Sequence, residues 1–392
     1  MTQRVLIGFA DALAAIESAW CLADDGFDVH VFARRGTRPA VARSESVTII
    51  NITSPEQDAQ RSAADLAAVI DDLNPAVVLP LDDHAVWLCN RISREQVLSP
   101  ARNRLGPILA GPPDDSSASL ALDKRQQLLH AQKAGFAVPP SRDAASEQPP
   151  GPGPWMVKPA LAVELRAGRL HRATGRVATS NEDVSEVLAA IGGPAIVQPL
   201  LAGTGEGIFG VATASGPKAL SAHRRIRMMN PRGSGSSACR SIPVAKDLVR
   251  PVGDFIAATD WRGLFMIELL RDETGQPWFM ELNGRAWGSM ALACRRGLAY
   301  PAWAVRAALD PEFEPAEPVS MPHLTARHLG REIVHLGAVM ARGGAPRLTT
   351  ARNVLTLRRD ERWYNWRSGQ KAVFAADAWD TVRRQLSRRR SA

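Results

Sequence analysis

Cysteine is scarce in this chain, and what there is does not pair up. The four cysteines, Cys21, Cys89, Cys239 and Cys294, are spread over 392 residues with no short spacing between any two. That pattern speaks against a zinc site and a disulfide framework, and reduced thiols in a cytoplasmic protein are the simplest reading. Long apolar runs are missing as well. The first one, residues 5–10, is interrupted by Asp11, so neither a signal peptide nor a membrane span of ~20 apolar residues is expected. There is no G-x-G-x-x-G after the first candidate strand, only an isolated Gly8, and dinucleotide binding there is unsupported.

An acidic surplus is also absent. The formal net charge is +8 and the sequence pI about 9.8, which suits an anionic partner, either nucleic acid or a small molecule such as a nucleotide. Part of the charge lies in the Arg-rich tail at 383–390, expected as a solvated helix end, so no nucleic-acid role is assigned to it. Hydrophobic residues at 45% and charged residues at 22% are ordinary for a globular chain. A length of 392 residues points to two or three domains.

Along the chain, short apolar runs at 5–9, 29–32, 47–50 and 77–79 alternate with helical stretches at 12–23 and 66–73. Strands alternating with helices imply a parallel, Rossmann-like α/β domain. Glycine and proline at 106–107 and 111–113 close it. A helix is expected over 116–134, and strands over 155–159, 195–198 and 208–214. A mobile Gly/Ser-rich loop is expected at 232–237. Residues 263–270 and 277–282 read as two strands around a turn at 272–275, which is a hairpin signal.

That hairpin carries the most informative chemistry. It brings Glu268 and Glu281 together, and Asn283, two residues after Glu281, points to the same face because strand side chains alternate. Two carboxylates and an amide oxygen are hard ligands of the kind magnesium takes, usually with phosphate oxygens completing the shell. A salt-bridged, solvent-facing hairpin is the other reading. The apolar neighbours Phe265, Ile267, Phe279 and Leu282 weigh against it, since unpaired buried carboxylates are unfavourable. Arg285 could neutralise charge on a transferring phosphoryl group, or be a surface arginine. Lys158 closes an apolar run and Lys124 lies in the 116–134 helix; either could meet phosphate, or be solvated. His223-Arg224-Arg225 with Arg227 is, taken alone, a solvated charge run.

Taken in order, Ala121-Leu122-Asp123-Lys124, Met156-Val157-Lys158-Pro159, the run from Ile196 to Gly203, the strand ending at Glu268, and Met280-Glu281-Leu282-Asn283-Gly284-Arg285-Ala286-Trp287-Gly288-Ser289 resemble the ATP-grasp superfamily. The nearest branch is the one similar to the carbamoyl-phosphate synthetase large chain and its predicted carboxylate–amine ligases. The resemblance implies an α/β and α+β architecture. A Rossmann-like pre-ATP-grasp domain would span 1–110. The ATP-grasp domain would span 111–310, with its A part at about 111–195 and its nucleotide and metal part at about 196–310. A helical C-terminal extension would cover 311–392. It further implies ATP and Mg2+ as cofactors. Lys124 and Lys158 would lie on the phosphates. Gln198, Pro199, Leu200 and Leu201 would form the adenine hinge, and Glu206 would hold the ribose hydroxyls. Glu268, Glu281 and Asn283 would hold magnesium, and Arg285 the transferring phosphoryl group. Arg225 and Arg240 would bind phosphate or the substrate carboxylate.

Three departures stand out. Pro199 replaces the glutamate common in the hinge, 160–169 lacks a glycine-rich phosphate lid, and Gly284 replaces a common proline. The implied reaction activates a carboxylate as an acyl phosphate and joins it to an amine, with small-molecule substrates and no membrane partner. A non-catalytic ATP sensor and a bicarbonate-using carboxylase are the alternatives. Asp82 and Asp83 suit either an ammonium group or a helix cap. The segment around Trp363, Tyr364 and Trp366 suits a homodimer face, a cover over the acceptor site or a plain core.

Overall fold

The computed structural model describes residues 2–97, 107–110, 120–143, 149–230, 235–343 and 345–390. The breakers at 106 and 111–113, the start of the expected 116–134 helix, and 231–234 of the Gly/Ser loop lie outside them.

The chain opens with β1 (Arg4–Gly8), α1 (Ala15–Asp24), β2 (Asp28–Arg34), β3 (Thr48–Ile52), α2 (Ala59–Leu73), β4 (Val77–Pro80) and α3 (Asp83–Val97). The four strands form one parallel sheet in the order β3-β2-β1-β4. Central β1 is a continuous apolar run, with Val5, Leu6 and Ile7 fully buried, because helices cover both faces of such a sheet. The C-terminal ends of its strands carry polar groups. Arg34 gathers the carboxylates of Asp11 (2.5 Å), Glu56 (2.8 Å) and Asp82 (3.3 Å) there.

Next come α4 (Lys124–Lys133), β5 (Arg142–Asp143), β6 (Trp155–Pro159), β7 (Glu164–Arg166), β8 (Arg169–His171), β9 (Arg176–Ala178), α5 (Asn181–Ile191) and β10 (Ala195–Pro199). The expected helix is interrupted at Asp123: residues 120–122 are helical, and the Asp123 side chain then accepts the Arg125 N–H at 2.8 Å and caps a new helix, α4. An antiparallel sheet, β5-β10-β6-β9, packs Trp155, Val157 and Val197 against Val184, Val187 and Ile191 of α5. Ser180 and Asp183 form a capping box that fixes where α5 begins.

The large sheet is built from β11 (Thr204–Thr213), β12 (Gly216–Met228), β13 (Ser236–Ile242), β14 (Gly263–Arg271) and β15 (Pro277–Asn283), with α6 (Lys246–Ala258) between β13 and β14. It continues through α7 (Met290–Arg295), α8 (Tyr300–Leu309), β16 (Thr325–Arg327), α9 (Leu329–Arg342), α10 (Arg347–Leu355), β17 (Glu361–Trp363) and α11 (Lys371–Arg390). The strand order is β15-β14-β11-β12-β13-β16-β17. The segment after 310, expected as helical, therefore also lends two strands to this sheet.

Each strand of the large sheet alternates between two environments. Ile208, Ala222, Ile267 and Leu282 face a core shared with Phe255 of α6 and Leu128 of α4. Phe209, Val211, Leu264 and Met266 face the first domain and α8. The second face, toward the first domain, carries the polar residues described next.

Candidate active site

In the hairpin of β14 and β15, Glu268 and Glu281 are direct cross-strand partners. Like charges at such a pair repel, so the arrangement needs compensation, and three cations supply it. Arg225 on β12 places Nη2 2.7 Å from Glu268 Oε1. Lys124, the first residue of α4, holds Nζ 3.8 Å from Glu281 Oε2. Lys158 on β6 feels both carboxylates and Lys124. Asn283 turns its amide to Glu281 Oε1 at 3.4 Å. Burial raises the Glu268 carboxyl above its ordinary range even though Arg225 opposes the shift. Burial likewise pushes Lys158 down to about 8, against the pull of Glu281.

These residues fit a magnesium–triphosphate ligand. Among the described residues no group of three or more His, Cys, Asp or Glu forms a self-contained metal cage. Two carboxylates and an amide oxygen make a partial oxygen set of the kind magnesium takes when phosphates and water complete its shell. The cations now paired with these carboxylates, Arg225 and Lys124, carry donors that suit phosphate oxygens as well.

Arg285, just past β15, is part-buried. Its Nε donates to Asp83 Oδ1 at 2.7 Å, across 202 residues of sequence. Arg172, beyond β8, approaches the other oxygen of Asp83 at 3.2 Å. Burial alone would raise the Asp83 carboxyl, but Arg285 and Arg172 hold it well below the usual carboxylate range. Asp83 is thus an anchor for two guanidinium groups. Asp82 caps α3, accepting the Ala85 N–H at 2.8 Å. The stretch 160–169, which lacks a glycine-rich lid, forms the β7–β8 ribbon. That ribbon rests on the first domain through Leu170 N–H to Pro55 O and Ala59 N–H to Gly168 O, both 2.8 Å.

The other sequence candidates fall in different places. Gln198 is buried in β10 and donates to Ser141 Oγ at 2.7 Å, so its side chain turns inward. Pro199 ends that strand, and Leu200 N–H is taken by Pro154 O at 2.9 Å. Leu201 lies two residues past β10 and is part-exposed. Glu206 and Arg240 do not join the cluster. In strand register Glu206 pairs with Arg224 and Arg224 with Arg240, whereas Glu268 shares a row with Gly207 and His223. Alternation therefore sends Glu206 and Arg240 to the opposite face. There Glu206 is held by Arg224 and Arg271, each at 2.8 Å, and Arg240 donates to Thr325 Oγ1 at 3.0 Å. Gly205, on the face of Glu268, leaves room for the Arg225 side chain: a Cβ there would lie 2.7 Å from Arg225 Cδ.

The basic run 223–227 is solvated only at Arg224 and Ile226. His223 is buried with Nδ1 2.9 Å from Ser289 Oγ, and burial pushes it down to about 3, so it stays neutral. Arg227 pairs with the fully buried Glu332 at 2.7 Å. Gly284 has a packing reason, because a Cβ there would drive into the buried indole of Trp261. Sequence reasoning missed the Asp83–Arg285 bond, Arg327 and Arg331. No local pattern marks partners so far apart.

No protein-family model matches the chain, and no curated protein sequence matches it. Solved structures do. An L-amino acid ligase from Bacillus licheniformis aligns over 83% of this chain and 78% of its own, at 15% identity and a TM-score of 0.59. An ADP complex of purK, an N5-carboxyaminoimidazole ribonucleotide synthetase, aligns over 97% of this chain and 98% of its own, at 12% identity and a TM-score of 0.62. A biotin carboxylase–β-γ-ATP complex from Campylobacter jejuni aligns over 83% and 74%, at 12% identity and a TM-score of 0.58. The architecture is the ATP-grasp fold that the sequence motifs led us to expect.

Proposed function

We propose that this chain is an ATP- and magnesium-dependent ligase that activates a substrate carboxylate as an acyl phosphate and joins it to an amine. The observation that carries the proposal is the cross-strand pair Glu268 and Glu281, set among Arg225, Lys124 and Lys158 with Asn283 beside it. Few structural roles call for two opposed carboxylates ringed by three cations, while a magnesium–triphosphate site needs both.

Glu268, Glu281 and Asn283 hold magnesium in this reading, and the metal screens charge on the phosphates when bound. Lys124 and Lys158 bind phosphate oxygens. Arg285, swung from Asp83, faces the phosphoryl group in flight. Arg225, released from Glu268, orients the carboxylate that attacks. The carboxylate oxygen bonds to the γ-phosphorus as the bond to ADP breaks; the amine then bonds to the acyl carbon, phosphate leaves and the amine gives up a proton. No protein nucleophile is needed. The residues work by positioning and by fixed charge.

The experiment is a paired screen of amino acids and small carboxylates for ADP and phosphate release. Release that needs both a carboxylate and an amine supports the proposal; release with neither, or none at all, refutes it. A bicarbonate-using carboxylase is the second reading, since a biotin carboxylase is among the similar structures, and release driven by bicarbonate alone would favour it.

A further inference from the structure

One strand beyond Arg225, counted from the metal carboxylates, the C-terminal segment returns to the same face of the sheet. β16 pairs with β13, His328 caps α9 by accepting the Arg331 N–H, and Arg331 reaches back over β13. Its Nη1 donates to Ser236 O at 2.9 Å and lies close against Gly235, where a Cβ would stand 3.0 Å from it. Around the guanidinium are Cys239, Tyr364, Asp377 and Arg225.

The cations around it are paired with acids. Arg225 has Glu268 (2.7 Å), Arg227 has Glu332 (2.7 Å), and Arg327 has Glu332 (3.0 Å) and Glu361 (2.7 Å); the His328 ring, whose Nδ1 accepts the Arg331 N–H, sets its Nε2 3.1 Å from Asp377. Arg331 makes no ion pair among the described residues. The acid that acts on it electrostatically, Asp377, is already engaged by His328 and by Asn365 at 2.9 Å. A guanidinium cannot shed its proton to relieve this, and an uncompensated part-buried charge is unfavourable. Burial pushes Arg331 below its ordinary value, against the pull of Asp377. One bond to a carbonyl leaves the rest of its donor fork available, and that fork matches a carboxylate.

Resting on the ligase reading, we propose that Arg331 anchors the non-reacting carboxylate of the amine substrate, which makes that substrate an amino acid with a free α-carboxylate. Arg331 faces the site from the side of Arg225, away from Lys124 and Lys158, so it serves the acceptor and not the nucleotide. A purely structural tether to Ser236 O would need a donor but not a charge.

The test uses the full chain with MgADP, and reads the thermal shift produced by each L-amino acid and by its α-amide. At least one free amino acid is expected to raise Tm where its amide does not. Arg331→Gln, which keeps a donor for Ser236 O, is expected to lower the acid-over-amide affinity preference at least tenfold, while Arg331→Lys keeps part of it. Should Arg331→Gln not fold, a weakened preference in Arg331→Lys carries the test. The proposal is overturned if acid and amide shift Tm alike, if no amino acid shifts it, or if the preference survives in the variants. Failure of the ligase reading shows separately, as a missing shift with MgADP alone or as no ADP release in the paired screen.

Discussion

Lys158 offers a prediction that can be worked through in numbers. Burial lowers its ammonium to about 8, while Glu281 pulls the other way. In the free protein near pH 8 the side chain is therefore about half protonated, against about nine-tenths at pH 7. Phosphate oxygens favour the charged form, so nucleotide binding should return the pKa toward its ordinary value and take up a proton. The sign follows from there. The bound state holds more protons than the free state between pH 8 and the ordinary lysine value, so affinity falls as pH rises through that window. Uptake should be about 0.1 proton at pH 7, about 0.5 at pH 8 and about 0.9 at pH 9, where affinity should fall nearly tenfold per pH unit. His223, near 3, and Cys89, pushed up to about 12, stay out of the window. Calorimetry of MgADP binding in two buffers of different ionisation enthalpy reads the uptake directly. Lys158→Arg keeps the charge and should abolish the buffer dependence. Binding heats that are the same in both buffers at pH 8.5, or a dependence that persists in Lys158→Arg, would refute the reasoning.

Three further changes can be checked with simpler assays. Glu281→Gln should abolish substrate-dependent ADP release while thermal melting stays close to wild type; full activity would sink the magnesium assignment. Gly284→Ala forces a methyl into the Trp261 indole and should lower stability by about 1–3 kcal/mol in urea unfolding. Arg327 is fully buried between Glu332 and Glu361, with Thr356 O at 2.7 Å. Arg327→Met strands those acceptors and should lower stability by about 3–5 kcal/mol in the same assay.

The hairpin was legible because its turn and its two strands are contiguous. β14 and β15 fold back on each other at 272–275, and a register shift between Glu268 and Leu269 then sets Glu268 opposite Glu281, a bulge that no local pattern announces. The parallel sheet was legible for a similar reason, since each apolar run is bounded by a local breaker. Face assignment in the middle of the large sheet was not. Whether Arg224 or Arg225 meets the site depends on the register of β12 against β11, and β12 carries irregularities that no local pattern announces. The same ambiguity let Glu206 and Arg240 stand as candidates, although both turn to the other face. Arg331 and the bond between Asp83 and Arg285 were beyond reach for a different reason. Each meets its neighbours only after long-range packing, and α9 looks like any amphipathic helix. The strands β16 and β17 are three residues each, too short to show a period of two.

Those two short strands also govern how the chain could be cut. β13 is hydrogen-bonded to β12 on one side and to β16 on the other. A fragment stopped after α8 would keep every residue of the Glu268 cluster yet leave β13 as a bare strand edge, its free N–H and C=O groups open to any extended chain that came by. Such a piece would be expected to self-associate, whatever its chemistry.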